Sequence, residues 1–370
     1  MSDVDRQSIA AAQASLIEAA RTAPQWLKAN VRWGPLGRTA ITLAPLVVDY
    51  CLTRNPSALQ SSLILVSLCI GAARVGYGLP GLLLHALVIL AAFGALLLAQ
   101  HIPLLFAALT TLLATAAVLL GRFSESWRTF GSFSLIPSVY LAMEFFEQTH
   151  GLHLWTTFGQ VARCSAIGLV FLCFLSWTWW IADRRADNFF TSFGTPERPN
   201  PQWQVMTLSV CIAEVLATTL IAVTQLPNAQ WMVWSVVSVV TGDSSSASRK
   251  LKSRILGGLI GVALGLLAGF VVPHVAAGVG LLTVAIALSL VAFRPYPIEF
   301  GSRCFFVALA ASMGGSVRHS ELIGLERVTN VLLGGALGLG MLLVAEALRN
   351  MCSDEWSVRS NNSRTLQKRE

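Results

Sequence analysis

Two arginines occupy matching places in the two halves of the sequence, and arginine is well suited to hold an organic anion. Arg163 and Arg327 each stand at what we predict to be the outer start of a half's last membrane span. A guanidinium group stays charged and can give a carboxylate two hydrogen bonds. The paired placement favours a role in attracting an anionic substrate. For either arginine alone, anchoring in lipid headgroups is an equally good explanation.

Two acids lie deep within predicted spans. Glu214 is near the centre of the seventh span and Asp49 is in the first, so each falls in the first helix of a half. A charge within a bilayer is costly, and such residues often relay protons. We predict that Glu214 or Asp49 carries a proton. The alternative is an internal ion pair, with Arg38 or Arg303 as conceivable partners, and the sequence does not decide between the two.

A basic turn joins two apolar segments, Trp231 to Gly242 and Ile255 to Val272. Positive charge near span ends is retained on the cytoplasmic side, so this turn is predicted to be cytoplasmic. Trp231 and Trp234 can stack on an aromatic substrate, although anchoring at the membrane interface explains at least Trp231 equally well. The cations of the turn are Arg249, Lys250, Lys252 and Arg254, of which Arg254 begins the next span.

Composition indicates a polytopic membrane protein. Hydrophobic residues make up 54% of the 370 positions and charged residues only 12%, against about 25% charged in soluble domains. The net charge of +7 falls in short loops and in the tail, so membrane topology explains it and nucleic-acid binding is not expected. Seven cysteines show no metal spacing, and the first 30 residues contain no cleavable signal peptide pattern.

We predict an all-α membrane protein of about twelve transmembrane helices, arranged as two parallel six-helix repeats with both termini cytoplasmic. Six is even, so both halves enter and leave on the same side, and their pseudo-twofold axis lies along the membrane normal. The predicted units are a cytoplasmic amphipathic segment (1–35), the first repeat (36–182), a cytoplasmic linker (183–204), the second repeat (205–348) and a disordered cytoplasmic tail (349–370).

The span boundaries follow from uninterrupted apolar stretches between charged or Gly/Pro-rich turns. The second span of each half is short, which often marks a substrate site. The predicted spans are Leu36 to Leu52, Leu59 to Ala73, Leu79 to Ala99, Ile102 to Leu120, Thr129 to Met143, Cys164 to Ala182, Val205 to Leu226, Ala229 to Gly242, Ile255 to Val272, Val275 to Phe293, Phe300 to Val317 and Val328 to Ala345.

Glycines four residues apart in the ninth span predict close helix packing. Gly257, Gly261, Gly265 and Gly269 leave one helix face bare, so that a second helix can approach. This spacing indicates packing and no chemistry. Enzyme motifs are absent: we find no HExxH, no GxSxG, no Walker A loop and no Cys/His cluster. His85, within the third span, is a remote candidate for proton relay, and a backbone hydrogen bond is the plainer explanation. We expect no enzyme, metal or cofactor.

The run QWMVWSVVSVVTGDSSSASRKLKSRILGGLIGVALG, followed later by ERVTNVLLGGALGLG, resembles the fusaric acid resistance protein-like (FUSC) family, which is related to the aromatic acid exporters. The resemblance covers roughly Leu226 to Leu348. Where the family's last-helix motif usually carries an acid after the arginine, this chain has Asn330, which we include among the substrate-binding residues. Many members also carry a large cytoplasmic domain between the halves, whereas this linker is about 20 residues.

The resemblance implies a multi-pass inner-membrane exporter of organic, in particular aromatic, carboxylic acids. It also implies a proton-gradient drive and a periplasmic adaptor as partner; a homo-oligomer is a further possibility. The predicted substrate-binding residues are Arg163, Arg254, Arg327, Trp231, Trp234 and Asn330, and the proton-coupling residues are Glu214 and Asp49. The alternatives are a passive organic-anion channel and a non-transporting membrane subunit that assembles a partner enzyme.

Overall fold

The computed structural model describes residues 22, 24–149, 154–183, 201–240, 242–272, 276–314 and 317–367. Within these ranges the chain is α-helical apart from turns, one short 3₁₀ helix (Leu120–Arg122) and one isolated β-bridge between Val31 and Phe293. Seven helices in the described ranges are long and apolar enough to cross a membrane. The all-α class predicted from the sequence is therefore confirmed, and the apolar helices are consistent with a membrane protein. The count of twelve spans, the repeats and the side of the termini stay predictions.

Between Trp33 and Asp183 the described residues form seven α-helices, because the second predicted span is broken in two. Asn55 caps the first piece by accepting a hydrogen bond from the Ser57 backbone, and a proline follows the cap as in many helix starts. The helices are α1 (Trp33–Thr53), α2 (Pro56–Gln60), α3 (Ser62–Val75), α4 (Leu79–Ala99), α5 (Pro103–Leu119), α6 (Glu125–Thr149) and α7 (Leu154–Asp183).

The second half contains six helices in the described ranges. Asp243 caps the one that follows the basic turn, with its carboxylate accepting a hydrogen bond from the Ser246 backbone at 2.9 Å. The helices are α8 (Trp203–Thr224), α9 (Gln230–Val239), α10 (Ser244–Val271), α11 (Ala276–Ala292), α12 (Tyr296–Gly314) and α13 (Val317–Gln367).

The helices coincide with the predicted spans along the chain, but some extend well beyond them. α4 has the predicted bounds, whereas α7 and α13 begin about ten residues before the predicted spans. Arg163 and Arg327 were expected at helix starts, and the structure places both about three turns into their helices. Polar residues that precede an apolar stretch continue the same helix there, which hydropathy alone does not show.

The predicted terminal and linker segments are only partly testable. The amphipathic helix expected near Ile9 to Leu27 and the linker at 183–204 lie largely outside the described residues. The tail was expected to be disordered from Arg349 onward, and instead α13 continues to Gln367. The segment from Met341 to Glu370 contains no glycine or proline, so nothing in it interrupts the helix.

The predicted glycine face of α10 packs against α12. A Cβ atom at Gly257 would lie 2.6 Å from the Pro297 carbonyl oxygen, and one at Gly261 would meet the backbone of Gly301. Gly265 and Gly269 make equivalent approaches further along α12. The packing role predicted for this glycine series is confirmed.

The same helix pairings recur in both halves. In the first half α1 contacts α7, α4 contacts α6, and α5 contacts α6. In the second half the corresponding pairs are α8 with α13, α10 with α12, and α11 with α12. Two further pairs join the halves, α5 with α8 and α11 with α1, and these again correspond. The halves therefore meet along two seams, the α1–α11 seam and the α5–α8 seam.

Candidate functional site: a cavity between the halves

A cavity of about 460 Å³ lies at the α1–α11 seam. Small-molecule sites commonly have volumes of ~300–1,000 Å³. Its wall combines Tyr50 and Tyr140 from the first half with Trp231, Trp234 and Arg303 from the second. We call it the seam cavity, because helices of both halves are needed to enclose it.

Stacked indoles form one wall of the seam cavity. The rings of Trp231 and Trp234 lie 5.6 Å apart and 21° from parallel, on successive turns of α9. Tyr140 of α6 meets Trp231 edge-on at 5.5 Å. Both tryptophans were predicted to bind substrate, and the structure brings both to the cavity. Their flat faces suit an aromatic or other planar ligand.

Arg303 of α12 is the guanidinium group that lines the seam cavity. It lies over the Trp234 ring at 5.2 Å, and its Nη2 forms an ion pair with Glu299 at 3.1 Å. Its Nε donates to the Ser289 hydroxyl at 3.4 Å. Sequence reasoning considered Arg303 only as a partner for an acid. A cation four residues after a glutamate, inside an otherwise apolar helix, is a sequence signal that could have identified it.

Arg327 and Arg254 are buried behind this aromatic wall. Arg327 is 1% exposed and lies over the Trp231 ring at 3.5 Å. Arg254 is 2% exposed and lies over Phe300 at 4.7 Å, with its Nη1 donating to the Tyr296 hydroxyl at 3.4 Å. Both arginines were predicted to bind substrate, but the seam cavity lining does not include them.

Asn330 holds the turn that leads into α9. Its side-chain amide donates to the carbonyl oxygens of Pro227 at 2.8 Å and Asn228 at 3.1 Å. The side chain of Asn228 in turn donates to Glu326 at 2.9 Å. Asn330 was predicted to bind substrate, and the structure instead shows it fixing the backbone just before Trp231. It lies outside the seam cavity lining.

Comparison with known proteins matches the part of the chain that carries this aromatic and cationic wall. Residues 200–341 match the family model described as Fusaric acid resistance protein-like. The second half of the chain is therefore similar to this family. This confirms the resemblance found in the sequence, and together with the apolar helices it indicates a multi-pass membrane protein.

One relative shows a similarity of limited extent. An uncharacterized protein of Synechocystis sp. is 26% identical over 136 residues, which cover 36% of this chain and 18% of that protein. The chain therefore spans less than a fifth of that relative's length. No solved structure matches the chain.

Outside the FUSC-like half, Arg163 and Asp49 contact each other. Arg163 Nη2 lies 3.7 Å from the Asp49 carboxylate, which joins α7 to α1. The Arg163 side chain is 54% exposed, and the Asp49 side chain 16%. The Cys164 thiol is also close to this carboxylate, at 3.6 Å. Two residues predicted for different roles, substrate attraction and proton coupling, thus form one ion pair between helices.

Glu214 is enclosed within the FUSC-like half. It is 0% exposed, and neither carboxylate oxygen has a hydrogen-bond partner. It precedes Thr218 by one turn of α8, and Thr218 lines a cavity of about 680 Å³ at the α5–α8 seam. Glu214 therefore lies on the same face of α8, one turn deeper than the residues that line this second cavity.

Glu147 stands at the rim of the cavity on the α5–α8 seam. The pKa of Glu147 is raised to about 7, mainly by partial burial and to a smaller extent by the charge of nearby Glu144. A hydrogen bond from the Asn228 backbone acts in the opposite direction. Glu144 itself lines the seam cavity. Glu144 and Glu147, one turn apart on α6, therefore each line one of the two cavities.

A third cavity, of about 410 Å³, continues from the seam cavity. Leu290 of α11 lines both. We call the third space the basic cavity because three arginines line it, namely Arg32, Arg38 and Arg74. The two cavities thus share Leu290 as a lining residue, with aromatic residues on one side and arginines on the other.

Proposed function

We propose that this protein is an inner-membrane transporter that exports organic, in particular aromatic, carboxylic acids, driven by the proton gradient. The observation that carries the proposal is the seam cavity, where the Arg303 guanidinium and the Trp231 and Trp234 rings form one wall. A carboxylate matches the guanidinium, and an aromatic ring matches the indoles. The FUSC-like character of this half supports transport rather than enzymatic activity.

The proposed topology has twelve spans in two parallel repeats, with both termini cytoplasmic. The matching helix pairs within the halves support it, and so does the correspondence between the α5–α8 and α1–α11 seams. In this arrangement the basic cavity faces the cytoplasm and the seam cavity faces the opposite side. The ends of α1 and α11 are joined near the basic cavity by the bridge between Val31 and Phe293.

The proposed path runs through both cavities. The arginines of the basic cavity raise the local concentration of anions at its cytoplasmic entrance. Leu290 closes the way to the seam cavity, where Arg303 receives the carboxylate. Movement of α11 relative to α1 would open this contact, as alternating access between repeats requires.

The proposed proton carrier is Glu214. Its burial without a hydrogen-bond partner is costly for a charged carboxylate, so its charge state must depend on the conformation of the surrounding helices. The cavity at the α5–α8 seam gives it a route to water. Asp49, which pairs with Arg163, is the second candidate from the sequence.

Uptake of a labelled aromatic carboxylate into inverted membrane vesicles tests the proposal. Removing Arg303 alone would leave Glu299 buried without its partner, so we would use the double variant Arg303→Gln/Glu299→Gln. We expect at least a tenfold loss of uptake, since a hydrogen bond to a charged group contributes ~1.5–3 kcal/mol. Arg122→Gln serves as the control, because Arg122 is an exposed arginine that contacts Trp203 and lies outside the seam cavity.

The same assay separates the alternatives. Unchanged uptake in the double variant would overturn the role of the seam cavity. Uptake that persists without a pH gradient and carries current at fixed voltage would identify a passive organic-anion channel. Absence of any uptake by the wild-type protein would favour a membrane subunit that assembles a partner. A periplasmic adaptor and a homo-oligomeric state belong to the proposal as partners, and crosslinking in intact cells tests both.

A further inference from the structure

A small enclosed void separates Arg254 from Arg327 within the second half, between α10, α12 and α13. Its volume is about 10 Å³, at the lower end of the ~10–15 Å³ that a single water molecule needs. A larger occupant such as a halide therefore requires the flexible arginine side chains to move slightly apart. Apart from the two arginines its wall is apolar or weakly polar. The lining residues are Ile255, Gly258, Phe300, Cys304, Val328, Val331 and Leu332.

The two guanidinium groups at this void are buried with unused donors. In Arg327, Nε and both Nη atoms have no hydrogen-bond partner, and in Arg254 Nε has none. The ring faces of Trp231 and Phe300 offset part of each charge. A ring face does not accept the N–H groups that lie in the guanidinium plane. Hydrogen bonds to those groups must come from another occupant.

Two like charges that line one small void repel each other, and the void lining contains no carboxylate. A water molecule could accept hydrogen bonds there but would leave both charges uncompensated. We propose that one small inorganic anion, a halide such as chloride, binds between Arg254 and Arg327. The anion accepts hydrogen bonds from both guanidinium groups and fixes α13 against α10.

This halide site is separate from the proposed transport path. Its lining and that of the seam cavity have no residue in common. By holding Arg327 in place, the halide also fixes the Trp231 ring on which Arg327 stacks. The inference rests on this geometry alone, so it stands or falls independently of organic-acid export.

The first test uses the purified full-length protein in detergent and needs no variant. We expect the thermal unfolding midpoint to rise saturably with sodium chloride or bromide and to show no such rise with sodium gluconate at equal ionic strength. We also expect radioactive chloride to bind at one site per chain. Equal midpoints in chloride and gluconate, with no chloride binding, would mean that water alone fills the void and would overturn the proposal.

A second test narrows the void without removing a charge. In Gly258→Ala the new methyl group would lie 3.4 Å from Phe300 Cε1 and 3.9 Å from Val328 Cγ2, so it fits but takes space from the void. We expect at least a tenfold weaker chloride response. Gly340→Ala on α13, where nothing lies within 4 Å, is the matched control and should respond as wild type. An unchanged chloride response in Gly258→Ala would contradict the assignment.

Discussion

Arg163 and Arg327 stand about three turns into the last helix of their halves, yet their surroundings are opposite. Arg163 is more than half exposed and pairs with Asp49. Arg327 is buried, has no hydrogen-bond partner and stacks on Trp231. The helix pairings around them correspond. One scaffold therefore holds a compensated surface cation in the first half and an uncompensated internal cation in the second.

A second pair of positions shows the same contrast. His85 of α4 lies against Phe130 of α6, with ring centroids 4.5 Å apart, and Arg254 of α10 lies over Phe300 of α12 at 4.7 Å. His85 Nδ1 shares a hydrogen bond with the Tyr77 hydroxyl at 2.5 Å. The first half thus places a hydrogen-bonded histidine where the second half places a guanidinium. Internal cations are concentrated in the FUSC-like half, while the first half completes the cavity wall.

The largest difference between the halves is expected in helix packing. Gly261→Ala would drive a Cβ atom into the Gly301 backbone, which has no room to move, whereas Gly94→Ala on α4 would meet only the ring of Phe158 at 2.9 Å. Overpacking costs ~1–3 kcal/mol or more. We expect Gly261→Ala to lower stability by about 3 kcal/mol and Gly94→Ala by about 1 kcal/mol, measured by chemical unfolding in detergent. Equal losses would mean that α4 and α10 pack alike.

His85→Phe tests the hydrogen bond that replaces the internal cation in the first half. The substitution keeps an aromatic ring beside Phe130 but removes the shorter of two hydrogen bonds of the Tyr77 hydroxyl, which keeps its bond to the Leu68 carbonyl oxygen at 3.4 Å. One hydrogen bond contributes ~0.5–1.5 kcal/mol, and we expect a destabilisation in that range by the same unfolding measurement. His101→Phe, at an exposed position beside Phe146, is the control and should change stability little. A His85→Phe variant as stable as this control would contradict the assigned role.

Glu147→Gln tests whether the acid at the α5–α8 seam makes stability depend on pH. The folded-state pKa of Glu147 is about 7, above the value of the free carboxyl group, because burial and Glu144 disfavour the charged form. The folded protein therefore binds more protons, and this contribution to stability is lost as pH rises through 7. We expect the unfolding midpoint of wild type to fall between pH 5.5 and 8, and that of Glu147→Gln to fall less. Glu125→Gln, at an exposed surface pair, should keep the wild-type slope.

The sequence predicted the helices better than the site, for physical reasons. The start of α4 at Leu79 could be predicted because Gly78 and Pro80 mark a helix start directly before a long apolar run. The seam cavity arises where helices far apart in sequence meet, so its wall could not be read from spacing. Trp231 and Trp234 were found because aromatic pairs are conspicuous, whereas Arg303 was missed as a cavity residue. Asn330 was assigned to substrate through a motif, and only coordinates show its bonds to the α8–α9 turn.

The smallest effect is expected for Arg163→Gln. This variant tests directly whether Arg163 differs in role from the buried arginines of the second half. The Arg163 side chain is more than half exposed, although Asp49 is mostly buried, and an ion pair with an exposed partner contributes about 0–1 kcal/mol. The unfolding free energy should therefore change by less than about 1 kcal/mol. If Arg163 serves only to join α7 to α1, uptake of the aromatic carboxylate should change less than twofold, and Asp49→Asn should behave in the same way. Should Arg163→Gln instead match the loss of the Arg303→Gln/Glu299→Gln variant, both halves supply substrate-binding cations. The arginines of the two halves would then differ in burial and pairing but not in their contribution to transport.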